Sequence, residues 1–401
     1  MRLQTLSIFA ILAATAFAAV APRAAAREDN VIVAYVTPNE IAVESGTPEI
    51  ASLARRAFAA HGGYKLGGAS ATRSLRLTKA GANAVSFVFR DSKGTRGNSV
   101  SGATLADAVL RACDAALVID KQRPLFAAKI AFVSDRTGKK EIYAGDLFFD
   151  TVRQLTNYRS ISVTPRWTFD GSEVLHTTYA NRNFTDIYAV NAVSGARRGV
   201  IVGKRGTATG AVSNPKTGQV AFASSGLGDM DIFLANADGK GIRVLFGTKG
   251  EVETDPAWSP DGERLAVTSG ATGRPGIHIV NKSGGAARRV STGFGYSTEP
   301  SWNPVFKNKI AFTYNKSGVF KIGVVDIASG QVEPLATAGN HRYSNPVWCA
   351  DGRHILATRV SGVTSRLVLI DADPRQKQVK ETVLSGAQMA NCSDADYFLA
   401  R

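Results

Sequence analysis

Apolar residues recur at a fixed interval through most of the chain, and they lie in short runs that alternate with turn residues such as Gly, Asp and Asn. This alternation is typical of strands joined by hairpins. Two registers with six members each repeat at steps of 45 residues. They are Ile130, Leu175, Val220, Leu265, Ile310 and Ile355, and Ile142, Ile187, Ile232, Ile277, Ile322 and Leu367.

A further apolar strand precedes most copies and ends in a turn, as in DPAWSPDG (255–262) and NPVWCADG (345–352). Four strands repeated at about 45 residues are the signature of β-propeller blades. The first copy opens at Lys129 without this strand, and residues 389–396 at the end of the chain are in phase with it. We therefore predict six blades, with the C-terminal strand completing the first.

The part of the chain before Lys129 lacks the period. We predict a strand over 31–36, a helix over 48–60 capped by Thr47, a hairpin over 74–78 and 84–89, and a helix over about 104–118. The predicted fold class is thus a small α/β N-terminal domain (27–128) followed by an all-β six-bladed propeller (129–401), which the C-terminal strand closes.

The first 26 residues have the pattern of a secretory signal peptide. Arg2 precedes an apolar stretch over 6–20, and Ala24, Ala25 and Ala26 provide small residues for cleavage. A membrane anchor is the alternative, but about 15 apolar residues are short for a span of about 20. Export is therefore the prediction.

Composition excludes several classes of function. The 401 residues carry 48 Lys and Arg against 33 Asp and Glu, for a formal charge of +15, but the basic residues are dispersed and form no nucleic-acid-binding stripe. Neither an HExxH nor a GxSxG motif occurs. The histidines have no metal-ligand spacing, and we predict them to be structural or on the surface. They are His61, His176, His278, His341 and His354.

Two sets of repeated or paired residues have a structural interpretation. Trp167, Trp258, Trp302 and Trp348 occupy equivalent blade positions, and we predict packing at blade junctions rather than ligand stacking. Cys349 and Cys392 lie at similar points of consecutive inner strands, where the separation exceeds that of a disulfide. Buried free thiols are therefore favoured, as for the third cysteine of the chain.

One class of positions has functional interest. The residues immediately before the Pro that opens an inner strand are Thr164, Asp255, Glu299 and Asn345. Inner strands line the channel of a propeller, so these residues mark one mouth. Such a polar ring suits the loop of a protein partner, a metal ion or a merely solvated rim. The metal alternative is a lactonase-type hydrolase with oxygen ligands from Glu253, Asp255, Glu299 and Asn345.

Several runs resemble the TolB family, the periplasmic propeller proteins of the Tol-Pal envelope system: KIAFVSDRTG (129–138), VRQLT (152–156), DPAWSPDG (255–262) and TEPSW (298–302). The order of signal peptide, α/β domain and six blades is similar too. The resemblance implies a non-enzymatic periplasmic scaffold without a cofactor. It would serve envelope integrity and outer-membrane constriction at division.

The resemblance also implies partners and a site. It implies that a Pal-type peptidoglycan-associated lipoprotein binds at the channel mouth and that TolA binds the mature N-terminal segment. The family's Thr-Glu-Pro-x-Trp matches at Thr298 and Glu299, whereas blade order nominates Thr254 and Asp255, and both alternatives stay open. The expected partner-binding residues are Glu253, Thr254, Asp255, Ser297, Thr298, Glu299, His341 and Asn345.

Overall fold

The computed structural model describes residues 37–180, 184–335, 337, 339–375 and 379–400. The predicted signal peptide and the predicted strand over 31–36 lie outside the described residues. The first described part is an α/β layer (37–128). Its elements are β1 (Asn39–Ser45), α1 (Pro48–Ala60), β2 (Tyr64–Leu66), β3 (Arg73–Gly81), β4 (Ala84–Asp91), β5 (Gly94–Ser101) and α2 (Leu105–Ile119).

The α/β layer has one mixed sheet of order β2-β1-β3-β4-β5, on which both helices pack. β1 runs parallel to β2 and β3, and β3 to β5 form antiparallel hairpins. Both predicted helices and the predicted hairpin are confirmed. Thr47 precedes α1 without a side-chain cap, whereas the Thr104 hydroxyl accepts the N–H of Asp107 at 3.1 Å and caps α2.

Six four-stranded sheets form the propeller. Within each sheet, or blade, the inner strand beside the channel is called the first strand and the outermost strand the fourth. The first blade combines β6 (Lys129–Ser134), β7 (Glu141–Asp146) and β8 (Val152–Gln154) with the last strand, β29 (Cys392–Phe398). The second blade has β9 (Ser162–Trp167), β10 (Glu173–Thr178), β11 (Asp186–Asn191) and β12 (Arg197–Ile201). The third has β13 (Ala208–Ser213), β14 (Val220–Ser224), β15 (Asp231–Ala235) and β16 (Arg243–Phe246).

The other three blades follow the same order. The fourth has β17 (Glu253–Trp258), β18 (Arg264–Ser269), β19 (Gly276–Asn281) and β20 (Arg288–Arg289). The fifth has β21 (Ser297–Trp302), β22 (Lys309–Lys316), β23 (Val319–Asp326) and β24 (Val332–Pro334). The sixth has β25 (Arg342–Trp348), β26 (His354–Ser361), β27 (Thr364–Asp371) and β28 (Glu381–Val383), followed by a 3-10 turn over Ala387–Met389.

The predicted closure is confirmed, because β29 pairs antiparallel with β6 from Cys392 opposite Ser134 to Phe398 opposite Lys129. The first repeat register needs one correction. Trp167 pairs with Val174, as Trp302 pairs with Ile310, so Val174 and not Leu175 is the equivalent residue of the second blade.

The repeated tryptophans and the cysteines have the predicted structural roles. Each Trp ends an inner strand, is 6–8% exposed and belongs to an apolar cluster between blades. Cys113, Cys349 and Cys392 are buried free thiols. These side chains therefore contribute to packing.

The α/β layer and the propeller share one hydrophobic core. Phe58 and Phe126 belong to the same cluster as Leu356 and Cys392 of the propeller. The buried carboxylate of Asp114 on α2 accepts the N–H groups of residues 125–127, each at 2.8 Å. Burial raises the pKa of Asp114 to about 6, against the effect of these three hydrogen bonds. The connection after α2 is thereby held at the junction.

A buried polar network joins the end of α1 to the sixth blade. His354 Nδ1 lies 2.6 Å from Asp351 Oδ2, and His354 Nε2 lies 2.8 Å from the carbonyl oxygen of His61. Arg353 forms an ion pair with Asp371 at 2.7 Å. Burial opposes a charge on His354, but the Asp351 carboxylate outweighs it and raises the pKa of His354 from its ordinary value of 6.5. Imidazolium would donate to both oxygens.

Gly62, just after α1, allows the end of this helix to lie close to Asp371 of the sixth blade. Its φ is +72°, and a Cβ there would lie 2.1 Å from the Asp371 Oδ2 atom. A side chain at this position would therefore displace the Asp371 carboxylate, which forms the ion pair with Arg353, or move the end of α1.

Deleting residues 387–401 should open the ring, because β6 would lose its partner and the core would lose Met389, Cys392 and Ala395. We expect the thermal midpoint to fall by roughly 10 °C or more, as for a loss of several kcal/mol. Differential scanning calorimetry measures this. Deleting only Ala400 and Arg401 leaves β29 intact and is the control. A midpoint equal to that of the control would contradict closure by β29.

His354 should make the protein less stable at higher pH. Its pKa is raised in the folded state, so its stabilising contribution is present below its ordinary value of 6.5 and is lost as pH rises through the folded pKa. The difference in free energy of unfolding between the wild type and His354→Gln should therefore shrink as pH rises above 6.5. Urea unfolding over a pH series measures this difference.

His176→Gln is the control with the opposite sign. Burial lowers the pKa of His176 to about 4, so its contribution is present above 6.5 and is lost as pH falls through about 4. The difference in free energy of unfolding between the wild type and His176→Gln should therefore shrink towards low pH. Parallel curves for the two variants would contradict the assigned role of His354.

Candidate functional site at the channel mouth

Each inner strand has a residue in the left-handed conformation at its third or fourth position, with φ between +48° and +65°. At each of these residues the register between the first and second strands shifts. The six are Thr164, Gly210, Asp255, Glu299, Asn345 and Asp394. Five of the six are not glycine, so this backbone conformation is energetically unfavourable for them. Residues of this kind concentrate at functional sites.

The sequence identified four of these positions from the Pro that follows. It missed Gly210 and Asp394 because Ala follows each of them. A signal was nevertheless available, since both lie about one period from their neighbours. All except Asp394 line a channel cavity of about 260 Å³.

Hydrogen bonds from blade to blade hold these residues. The Thr268 hydroxyl donates to Asp255 Oδ2 at 3.0 Å and accepts the N–H of Glu299, in the next blade, at 3.1 Å. Glu299 Oε2 in turn accepts from the Thr313 hydroxyl at 2.6 Å and from the N–H of Asn345 at 2.7 Å. The backbone N–H groups of Glu299 and Asn345 are therefore each bonded by a side chain of the blade before them, whereas Asp255 is bonded by Thr268 of its own blade.

The series continues into β29. The Asn345 side-chain amide donates to Asp394, whose own N–H donates to the Thr358 hydroxyl at 3.1 Å. Asp396 accepts the N–H of Trp167 at 2.7 Å. The closing strand thus places two carboxylates beside the channel.

The channel is acidic and poorly solvated. Burial raises the pKa of Glu299, Asp394 and Asp396, and the charge of Arg166 acts against it at the two aspartates. A ligand group that donates hydrogen bonds or carries positive charge would stabilise these carboxylates. The channel therefore favours a donor-rich group.

A groove of about 440 Å³ opens at the mouth between the fourth and fifth blades. Thr254, Asp255, Thr298 and Glu299 line it, so the structure brings together both alternatives that the sequence left open. The loops 250–252 and 270–275 provide further lining.

The other four expected residues lie elsewhere. Glu253 and Ser297 are fully buried, with Glu253 accepting from the Ser269 hydroxyl at 2.9 Å and the Ser297 and Thr292 hydroxyls 2.7 Å apart. Neither side chain can contact a partner in this arrangement. Asn345 lines the channel, and His341 is half-buried in the loop before β25, outside both cavities.

Exposed apolar side chains on the mouth face form a feature that the sequence analysis missed. They lie in loops that join the second strand to the third or lead into an inner strand, all at the end where inner strands begin. They are Ile161, Tyr179, Phe184, Val202, Leu227, Val252, Tyr296 and Val363. Exposed basic residues share these loops: Lys139, Lys140, Arg159, Lys204, Arg205, Lys249 and Arg274. Exposed apolar residues that share one face with basic residues are a feature of protein-binding surfaces.

The structure does not support the metal alternative at the mouth. Among the described residues, the ligand atoms of Glu253, Asp255 and Glu299 do not converge as a metal site requires. The one described group with such spacing is His61, Asp351 and His354 at the junction. Both ring nitrogens of His354 already contact oxygen atoms, so hydrogen bonding accounts for this group. Burial lowers the pKa of His61 well below its ordinary value, and the nearby His354 and Arg353 lower it further.

Replacing Thr268 with Val should weaken the mouth without changing side-chain volume much. The partly buried Asp255 carboxylate loses one hydrogen-bond donor and the N–H of Glu299 loses its acceptor, which costs about 1–3 kcal/mol of unfolding free energy. Chemical denaturation measures this loss. The exposed Thr272→Val control should change stability by less than about 0.5 kcal/mol. Equal effects of the two changes would show that the Thr268 hydroxyl does not hold the mouth.

Comparison with known proteins relates the chain to TolB proteins. The protein TolB homolog of Chlorobium luteolum is 31% identical to this chain over 182 residues, which are 44% of this chain and 39% of that protein. The Tol-Pal system protein TolB of Desulfosudis oleivorans is 33% identical over 121 residues, which are 30% of this chain and 27% of that protein. The matched region thus spans two fifths or less of these curated relatives.

Solved structures show the same fold at low identity. TolB from Acinetobacter baumannii superposes with a TM-score of 0.77 at 16% identity, covering 91% of this chain and 97% of that one. A chain of the nidogen/laminin complex has a TM-score of 0.55 at 15% identity and covers 68% of this chain and 99% of that one. Because the match to the Acinetobacter protein covers 91% of this chain, it includes part of the α/β layer as well as the propeller. The family model described as the TolB beta propeller domain matches residues 118–390, and the chain belongs to this family.

Proposed function

We propose that the protein is a non-enzymatic scaffold of a Tol-Pal type envelope system and works in the periplasm. The mouth face carries this proposal, because it combines exposed apolar residues, a basic rim and an acidic channel. Family membership and curated relatives named as Tol-Pal system proteins support it. No helix in the described part of the chain has the length and hydropathy to cross a bilayer.

The proposed partner at the mouth is a Pal-type peptidoglycan-associated lipoprotein. A donor-rich loop of this partner would enter the channel and meet Asp255 and Glu299, while its apolar and acidic flanks would contact the rim. Complementary charge of this kind raises the rate of association and selects the partner. Thr254 and Thr298 would contribute hydrogen bonds from the groove.

TolA is the second proposed partner, through the mature N-terminal segment. That segment lies outside the described residues, so this proposal rests on the family alone. Simultaneous or alternating binding of two envelope proteins would couple the membranes to peptidoglycan. The proposed outcome is envelope integrity and outer-membrane constriction at division.

Val252→Lys should weaken binding of the soluble domain of a Pal-type lipoprotein from the same genome. Val252 is 57% exposed and lines the mouth groove, so a charge would be desolvated in the interface. We expect the Kd to rise roughly tenfold or more, the effect of losing a well-buried interface residue. Isothermal titration calorimetry measures it.

Val193→Lys is the matched control, since Val193 is 77% exposed in the β11–β12 loop at the opposite end of the propeller. Its Kd should equal that of the wild type. If both variants bind like the wild type, the mouth groove is not the binding surface. If the wild-type protein does not bind at all, the Pal-type partner is wrong.

A further inference from the structure

A cleft of about 610 Å³ lies between the α/β layer and the end of the propeller opposite the mouth. The connection after α2 forms one wall with Lys121 and Arg123. The loop from β21 to β22 forms another wall with Phe306, and Lys309 follows it. The loops after β25 and β27 complete the cleft. This volume is in the range of sites for small organic ligands.

The cleft has an excess of positive charge. Its two lining carboxylates are already engaged, because Asp351 lies 2.6 Å from His354 Nδ1 and Asp373 forms ion pairs with Arg353 and Arg375. Among the described residues, no ion pair involves the three remaining cations of the lining. These three are Lys121, Arg123 and Lys309.

Phe306 brings two of these cations together. The Arg123 guanidinium and the Lys309 ammonium each lie 5.6 Å from the centroid of the Phe306 ring. The ring is 46% exposed, and each contact has the distance of a cation–π interaction. Arg123 comes from the connection after α2 and Lys309 from the fifth blade, so a flat aromatic surface between two positive groups spans the junction.

Trp348 provides an independent observation at the same cleft. The indole N–H groups of Trp258 and Trp302 donate to backbone carbonyls at 3.2 and 2.8 Å. The equivalent N–H groups of Trp167 and Trp348 have no acceptor among the described residues, and Trp348, which is 6% exposed, lines both this cleft and the channel. A buried donor without an acceptor is uncommon in proteins and calls for one.

We propose that this cleft binds a small organic anion with two or more carboxylate or phosphate groups. Its anionic groups accept hydrogen bonds from Arg123, Lys309 and Lys121, and its carbon skeleton lies against the Phe306 ring. Charge-assisted hydrogen bonds of this type are short and strong. The ligand contacts both the α/β layer and the fifth blade, so its binding stabilises the junction.

Titration of the full mature protein with citrate and with inorganic phosphate tests this proposal. Isothermal titration calorimetry at constant ionic strength, set with sodium chloride, is the measurement. We expect saturable binding of at least one probe, and the preferred probe distinguishes a carboxylate ligand from a phosphate ligand. The double variant Arg123→Gln with Lys309→Gln should bind at least about tenfold more weakly, since each charged hydrogen-bond donor contributes about that factor.

The control is Lys79→Gln with Lys93→Gln, which removes the same charge from exposed positions of the α/β layer. It should bind like the wild type. Equal weakening of the two double variants would show a nonspecific charge effect and overturn the proposal. Absence of saturable binding of both probes to the wild type would overturn it as well. Circular dichroism of each variant establishes that it is folded.

Discussion

The antiparallel pairing of β29 with β6 is the interaction on which the rest of the structure depends. A ring of blades leaves no free edge only when the last strand finds a partner, and here the two ends of the propeller supply one blade together. The pairing joins residues about 260 positions apart in sequence, so its loop-closure cost is large, but it grows only slowly with loop length. Burial of Cys392 and Ala395 contributes to offsetting that cost.

The same strand organises the channel. Its left-handed residue, Asp394, accepts from the Asn345 side chain, and Asp396 accepts from the N–H of Trp167 in the second blade. Closing the ring therefore also completes the series of hydrogen bonds that begins at Thr268 and passes through Glu299. At Glu299, Asn345 and Asp394 the preceding blade supplies the acceptor for the backbone N–H and so stabilises the uncommon backbone conformation. The closure of the ring and the hydrogen bonds at the mouth therefore depend on the same strand.

Sequence reasoning predicted the architecture well because a propeller repeats a local pattern. Each blade shows its strands through apolar alternation and its turns through Gly and Asp, so six copies reinforce one another. β5 was not predicted because most of its residues are exposed and no apolar alternation marks it. The contact between His61 and His354 joins residues 293 positions apart, and no local pattern encodes such a pair.

The candidate site was predictable only in part, for a related reason. Asp255 and Glu299 were found because they share a repeat position before a Pro, and their neighbours Thr254 and Thr298 followed from blade order and the family motif. Burial of Glu253 and Ser297 depends on neighbouring blades, which one strand does not reveal. The apolar residues of the mouth face lie in loops of different length and sequence, where the period is lost.

β29 contacts both the channel mouth and the connection to the α/β layer. At its start β29 lies beside the mouth through Asp394, and near its end the Tyr397 hydroxyl donates to the carbonyl of Leu125 at 2.6 Å, in the connection to the α/β layer. Leu125 is in turn held by Asp114. A displacement of β29 along its axis would change the mouth and the junction together, because both sets of hydrogen bonds are made by the same seven-residue strand. The proposed partner-binding face at one end and the packing of the α/β layer at the other are therefore joined by hydrogen bonds of a single strand.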